Sequence, residues 1–521
     1  MRLLRVVAAA AVLLGIVAPA RLLTASGATE ASSVNAAVDW RDESIYMVVT
    51  DRFRNGDPSN DGDADPARAD WWHGGDLQGV IDELAYIKGL GMTAIWITPV
   101  TAQMSGGYHG YWTSDFYTVD PHLGDLPKLR ELVTRAHAIG LKIVLDVVFN
   151  HVGQRNPWLT DGQHAGWFHG DCPINFADQG TVERCWLAGL PDLDTENPVV
   201  RTYLKDWALW LVAETDVDGF RVDAARHLPK DFISELVGTL KASHPRFWIL
   251  GEIFSSGYRY QSGYLASGLD AVTDFQTYES LGIALARSGN ISQLTLPPGL
   301  AADLGPGRED LRATFIDNHD VARFVGADPP DADARARLAQ ALAYLFTAPG
   351  TPVLYYGTEI ALAGGRDPDD RRSMPWTGGD AATRDLVQQL ALLRRDTPAL
   401  RRGSFVELVS ERSAAAYARV LGDERIVVAF NADPTAARSV QVPLGPLGLS
   451  SATAEPLAVT AAGLRAVGDG LEIGLAPRGY AVLRLLPAPT GGAPAWAIVA
   501  SLLATVLAIS VLLGRSRLRR G

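Results

Sequence analysis

The sequence predicts an α/β chain: a (β/α)8 TIM barrel with a small inserted subdomain and a C-terminal antiparallel β-domain. Three observations carry that expectation. From about Trp40, short apolar runs alternate with stretches of helical period. Eight such runs precede Leu400, and repeated strand–helix units build a parallel sheet with helical crossovers. Beyond Leu400 the helical period disappears and short alternating runs take over.

The elements follow in order. Met1-Arg2-Leu3-Leu4-Arg5 is basic, Val6–Val17 is apolar, and Ala18-Pro19-Ala20 and Ala25-Ser26-Gly27 offer small residues for cleavage. Residues 1–27 therefore read as a secretory signal peptide, the other reading being an uncleaved N-terminal anchor. Residues 40–150 form the first part of the barrel. Ser44–Val49 is a buried strand, and Asp76–Gly91 a helix with Leu77, Val80, Ile81, Leu84, Ile87 and Leu90 on one face. Strand Ala94–Val100, helix Leu126–Gly140 and strand Leu141–Phe149 complete this part. Residues 151–196 break the rhythm and read as an inserted, loop-like subdomain. Residues 197–399 resume it, with strands at Val217–Val222, Phe247–Ile253, Asp270–Phe275, Leu311–Ile316 and Val353–Tyr356.

Residues 400–486 read as the β-domain, with runs at Ala415–Leu421, Arg425–Phe430, Ser439–Val442 and Tyr480–Leu485. Residues 487–494 are a Pro/Gly/Ala linker. Residues 495–514 carry no charge and are long enough to span a bilayer, and 515–521 form a basic tail with Arg515, Arg517, Arg519 and Arg520. The pattern predicts an exported, cell-surface protein with one C-terminal membrane helix, the barrel outside and the tail in the cytoplasm. Leu486-Pro487-Ala488-Pro489-Thr490-Gly491 leaves a second route open, because it resembles a cell-wall sorting signal whose spacing is off by one residue.

Composition narrows the partners. The chain has 521 residues, 47% hydrophobic and 20% charged, with a net charge of -12. That acidity argues against a nucleic-acid partner and suits a neutral ligand and bound cations. Thirteen Trp residues offer flat faces for sugar rings, although Trp is equally a core residue. The two cysteines, Cys172 and Cys185, lack a zinc-type pattern, and a close pair in an exported chain points to a disulfide.

Barrel enzymes set their chemistry at the C-terminal ends of the strands. Four polar clusters end apolar runs here: Asp146-Val147-Val148-Phe149-Asn150-His151, Gly219-Phe220-Arg221-Val222-Asp223, Gly251-Glu252 and Asp317-Asn318-His319-Asp320. Glycosidic cleavage needs one carboxylic acid for the leaving oxygen and one carboxylate at the anomeric carbon. Arg221 lies two residues before Asp223, on the same strand face, where its charge keeps that carboxyl ionised. Glu252 has no basic neighbour in sequence and is placed to hold a proton.

These segments resemble the conserved regions of the α-amylase family of glycoside hydrolases, in order and spacing, from about Ile45 to Leu485. The resemblance implies retaining hydrolysis of α-glucosidic bonds. It implies Asp223 as nucleophile, Glu252 as acid/base and Asp320 as the third acid. Arg221, His151 and His319 match residues around the sugar before the cleaved bond, and Tyr111 the aromatic platform beneath it. Asp367 and Arg371 match a pair that orients the same sugar, with a surface salt bridge as the other reading. For calcium, the resemblance implies Asn150 and Asp192 as side-chain ligands and Glu183 and His227 as backbone ligands. The cysteine pair sits where secreted fungal α-amylases have a disulfide. Asn55, Asp57, Asn60, Asp61, Gly74 and Asp76 resemble the N-terminal calcium loop of cyclodextrin glucanotransferases, or else form a solvated turn. The chain lacks the bulky aromatic of the cyclising enzymes, reading Leu187-Ala188-Gly189-Leu190 there. Endo-acting hydrolysis of starch, glycogen or maltodextrin is the main expectation. A maltodextrin-specific hydrolase or glucanotransferase is the runner-up. A non-catalytic membrane scaffold fits poorly, because all three acids are present.

Overall fold

Parallel strands buried on both faces are predominantly apolar, and the eight expected runs close into a barrel with Asp146, Arg221, Asp223 and Arg312 as buried charged exceptions. A computed structural model describes residues 39–287, 289–326, 331–460 and 462–487. The barrel strands are β1 (Ile45–Val48), β2 (Ala94–Ile97), β3 (Lys142–Val148), β4 (Gly219–Asp223), β5 (Trp248–Gly251), β6 (Ala271–Thr273), β7 (Arg312–Thr314) and β8 (Thr351–Tyr355). Each pairs in parallel with the next, and β8 returns to β1. Register sets the height of the polar strand ends: Asp146 pairs with Arg221, and Val148 with Asp223.

The helices follow their periodicity with one break. The stretch expected as a single helix over 76–91 divides into Leu77–Asp82 and Leu84–Gly89, with Glu83 between them. Asp76 caps the first half, accepting from the Gly79 N–H at 2.6 Å. The helix Leu126–Ala138 is capped by Asp125, which accepts from Lys128 N at 2.8 Å. An antiparallel pair, Thr101–Gln103 with Thr113–Val119, leaves the barrel after β2 and was not foreseen.

The insertion after β3 is closed at its base by antiparallel bridges His151–Asp192 and Phe168–Leu193. A disulfide joins Cys172 and Cys185, with Cα atoms 5.0 Å apart. The β-domain has a five-stranded antiparallel sheet ordered Ser404–Ser410, Ala414–Leu421, Glu424–Asn431, Tyr480–Pro487, Ala452–Val459. A second sheet is ordered Arg438–Pro443, Gly470–Leu475, Ala462–Val467. Its own apolar core includes Ala416, Val427, Val440, Ile473 and Leu483. Buried Gln340 of a barrel helix donates to the carbonyls of Asn431 and Gly479 and so ties the two parts together.

One expectation is corrected. Among the described residues no helix is long and apolar enough to cross a membrane, so the single-pass anchor and the membrane-bound localisation derived from it are withdrawn. The segments 1–27, 488–494, 495–514 and 515–521, on which the signal peptide, most of the linker, the anchor and the tail were read, lie outside the described residues.

Candidate active site

The strand ends converge on one guanidinium. Alternation along β4 turns Arg221 and Asp223 to the same face. Arg221 is 1% exposed, and its Nη1 lies 2.9 Å from Asp146 Oδ1 of β3 and 2.6 Å from Asp223 Oδ1. Its Nη2 pairs with Glu252, the residue that follows β5. One buried cation is thus shared by three carboxyl groups from three adjacent strands. Ala224, next after Asp223, adopts a left-handed backbone with φ of 46°, and its N–H donates to Glu252 Oε2 at 3.0 Å.

Burial pushes the Glu252 carboxyl well above the usual carboxylate range, the nearby charges of Asp223 and Asp320 add to this, and Arg221 opposes them without prevailing. The expectation that Glu252 lacks a basic neighbour therefore holds along the chain but not in space. Burial raises Asp146 to about 7 against the pull of Arg221. Burial also acts to raise Asp320, but its basic neighbours outweigh it and hold that carboxyl below its ordinary value. Burial brings His319 down to about 3, so the lasting positive charge near Asp320 belongs to Arg371 and Arg221.

The remaining expected residues surround this centre. Tyr111 Oη donates to Asp146 Oδ2 at 2.8 Å and lies 2.5 Å from His319 Nε2, which makes Nε2–H the tautomer that fits. The Tyr111 and His319 rings stack with centroids 5.3 Å apart. His151 Nε2 donates to the Tyr111 carbonyl at 3.2 Å. Arg371 Nε donates to the His319 carbonyl at 2.7 Å, Nη2 lies 3.3 Å from Asp320 Oδ1, and Nη1 lies 3.4 Å from Asp367 Oδ1. The pair Asp367–Arg371 is therefore joined to the third acid and is not a detached surface bridge. Asp146 and Trp96, whose Nε1 donates to Asp146 Oδ2 at 3.1 Å, were not singled out from sequence. The one available signal was the position of Asp146 in the run that ends at His151.

The expected calcium ligands divide unevenly. Asn150 and Asp192 meet at the base of the insertion, where the Leu193 N–H also donates to the Asn150 carbonyl at 2.8 Å. Glu183 follows the short helix Gln179–Val182, and His227 Nδ1 donates to the adjacent Val182 carbonyl at 2.8 Å. Amide, carboxylate and carbonyl oxygens are the donor set Ca2+ takes, and buried Asp192 Oδ2 has no hydrogen-bond partner. In the N-terminal loop, Asn55 Nδ2 donates to Asp61 Oδ1 at 2.7 Å, beside Gly74. A Cβ on Gly74 would come within 2.8 Å of both side chains, and its φ of +87° favours glycine. Asn60 Oδ1 is buried without a partner. Asp57 instead accepts from Ser59 in its own turn, and Asp76 accepts from Gly56, Asp57 and Gly79. A further group went unnoticed in the sequence: His169, Asp194 and Glu196 bring one ligand atom each within 4.8 Å of one another, and His169 Nδ1 lies 2.7 Å from Asp192 Oδ1.

Residues 47–385 match the family model "Alpha amylase, catalytic domain". A "Beta/alpha-amylase" of Paenibacillus polymyxa is 38% identical over 77% of this chain, which spans about a third (34%) of that protein's length. Neopullulanase 2 of Thermoactinomyces vulgaris is 35% identical over 77% of this chain and 71% of its own. The crystal structure of an α-amylase from Geobacillus thermoleovorans, complexed with acarbose, superposes with a TM-score of 0.79 at 39% identity, covering 86% of this chain and 99% of that one. The chain belongs to the α-amylase family of glycoside hydrolases.

Proposed function

We propose that the protein hydrolyses α-1,4-glucosidic bonds in starch, glycogen or maltodextrins, from within the chain and with retention of configuration. The observation that carries this reading is Arg221, buried and shared by Asp146, Asp223 and Glu252, with Asp320 held nearby by Arg371. Asp223, ion-paired at 2.6 Å, is the nucleophile and attacks the anomeric carbon. Glu252, kept protonated by burial, gives its proton to the glycosidic oxygen as that C–O bond breaks. The sugar is left as an ester on Asp223. Glu252, now a carboxylate, takes a proton from water, which displaces Asp223 and returns both groups to their starting state.

Tyr111 and His319 form the floor under the sugar before the cleaved bond, with His151 beside them. Asp320, Asp367 and Arg371 grip its hydroxyls. Calcium would be held by Asn150, Asp192 and the backbone of Glu183 and His227, and would pin the insertion to the barrel. In the N-terminal loop a second ion would be held by Asn55, Asn60, Asp61 and the backbone at Gly74, whereas Asp57 and Asp76 brace the turn through their own hydrogen bonds.

One observation favours a second reading, transfer of the sugar to another glucan. Phe176 of the insertion and Phe254, two residues past Glu252, are 59% and 48% exposed. Arg226 links them: its guanidinium lies 4.6 Å from the Phe176 ring centroid and donates to the Phe254 carbonyl at 2.6 Å. Two open rings beyond the acid suit an acceptor sugar. A time-resolved product profile on soluble starch tests both readings. Early mixed maltodextrins support endo-hydrolysis, and products longer or cyclic relative to a maltodextrin substrate support transfer. No cleavage at all refutes the family activity for this chain.

A further inference from the structure

The helix Pro198–Thr215 carries aromatic residues on the flank of its buried face as well as within it. Its inner face buries Val200, Leu204, Trp207 and Leu211 against the barrel, as a crossover helix must. On the flank of that face, one turn from Val200 and Trp207, Tyr203 and Trp210 are half-buried and Val199 is 59% exposed, and Tyr203 also packs against the rings of Phe116, Trp158 and Trp167. Tyr117, 38% exposed, leans onto this flank from the strand Thr113–Val119. Its ring lies 4.9 Å from that of Trp210, tilted by 54°, and 5.6 Å from that of Tyr203. Asp206 stands among them, one helical turn from both Tyr203 and Trp210, and is exposed. Burial and the Asp206 charge both raise the Tyr117 hydroxyl above its ordinary value. Tyr117 lies on the strand Thr113–Val119, six residues beyond Tyr111 in the chain.

We propose that Tyr117, Tyr203 and Trp210, with Asp206, form a second α-glucan-binding platform, separate from the active site. The proposal rests on the reading that α-glucan is the substrate. A pyranose ring offers an apolar C–H face and a rim of hydroxyls, and the patch offers aromatic surface next to an exposed carboxylate acceptor. A protein partner fits less well, since an acidic side chain in the middle of the patch is what the core of a protein interface avoids. The chain's net charge of -12 also disfavours an anionic polymer. The platform holds a long chain or a granule surface while the active site works on another part of it.

The test uses the full chain and insoluble starch granules, with turnover of soluble maltopentaose measured in parallel. Tyr117→Ala with Trp210→Ala is the main variant, and Asp206→Ala, on an exposed position, is the second in case the first folds poorly. The expected result is granule binding weakened about tenfold or more in the double variant, with weaker loss in Asp206→Ala and maltopentaose turnover within about twofold of the parent. Granule binding unchanged in a folded double variant overturns the proposal. So does a parent chain that does not bind granules, self-association through this face, or loss of granule binding only in proportion to loss of maltopentaose turnover. Absence of maltopentaose turnover in the parent would instead refute the substrate reading, and the binding comparison still judges the platform.

Discussion

Replacing Arg221 by Met removes the charge at the centre of the site and keeps most of the side chain's bulk. Three carboxyl groups lose their shared partner, Asp146 at 2.9 Å, Asp223 at 2.6 Å and Glu252, and all are at least nine-tenths buried. Breaking a buried pair by deleting one partner costs about 3–5 kcal/mol, because the remaining charge stays desolvated. The cost depends on pH in a definite direction. Burial already raises Asp146 to about 7 and Glu252 well above the carboxylate range, and loss of the cation raises both further. A carboxyl whose folded pKa lies above its unfolded value near 4 adds stability below that value and loses it as pH rises through the folded pKa. Arg221→Met should therefore be destabilised by about 3–5 kcal/mol at pH 8 and by clearly less at pH 5. Urea denaturation of parent and variant at both pH values measures this. A deficit below about 1 kcal/mol, which is how an exposed pair behaves, would refute the reasoning, and so would one larger at pH 5.

Two further outcomes are expected. Turnover should fall as pH rises through the raised value of Glu252, because a deprotonated carboxyl cannot serve as the acid; Glu252→Gln should lose that limb and roughly 10²–10⁴ in rate, measured as kcat against pH. A strong chelator should lower melting temperature and activity together, and Asp192→Asn should reduce the response to added calcium, read by thermal unfolding with and without Ca2+; a melting curve indifferent to chelator would count against the calcium reading.

The barrel was legible because its strands are buried on both faces and read as mainly apolar runs with polar residues toward one end. The short strands β6 and β7 are three-residue cores of the longer strands expected at Asp270–Phe275 and Leu311–Ile316, since only their middles pair. The split helix at Glu83 was not legible, because the apolar period runs through the break. The pair Thr101–Gln103 and Thr113–Val119 was missed for a different reason: Thr113, Phe116 and Val119 are buried at a spacing of three, which masks the alternation of a strand. At the site, the two-residue step from Arg221 to Asp223 could be read along the chain. The contact of Arg221 with Asp146, 75 positions away, could not, nor could its contact with Glu252. Glu252 was expected to hold a proton for want of a basic neighbour, and the structure gives burial as the cause instead. The membrane anchor was read from a segment outside the described residues, and no helix within them replaces it.

The central claim is a glycosyl-enzyme on Asp223, and trapping that ester tests it most directly. A fluorinated maltosyl substrate that forms the ester faster than water removes it would be incubated with the protein, which is then digested and sequenced by mass spectrometry. The expected result is one added maltosyl-type group on the peptide containing Gly219–Asp223, assigned to the Asp223 side chain. Modification of Glu252 or Asp320 instead, or an enzyme that turns over this substrate with no adduct and releases the β-anomer first, would contradict it.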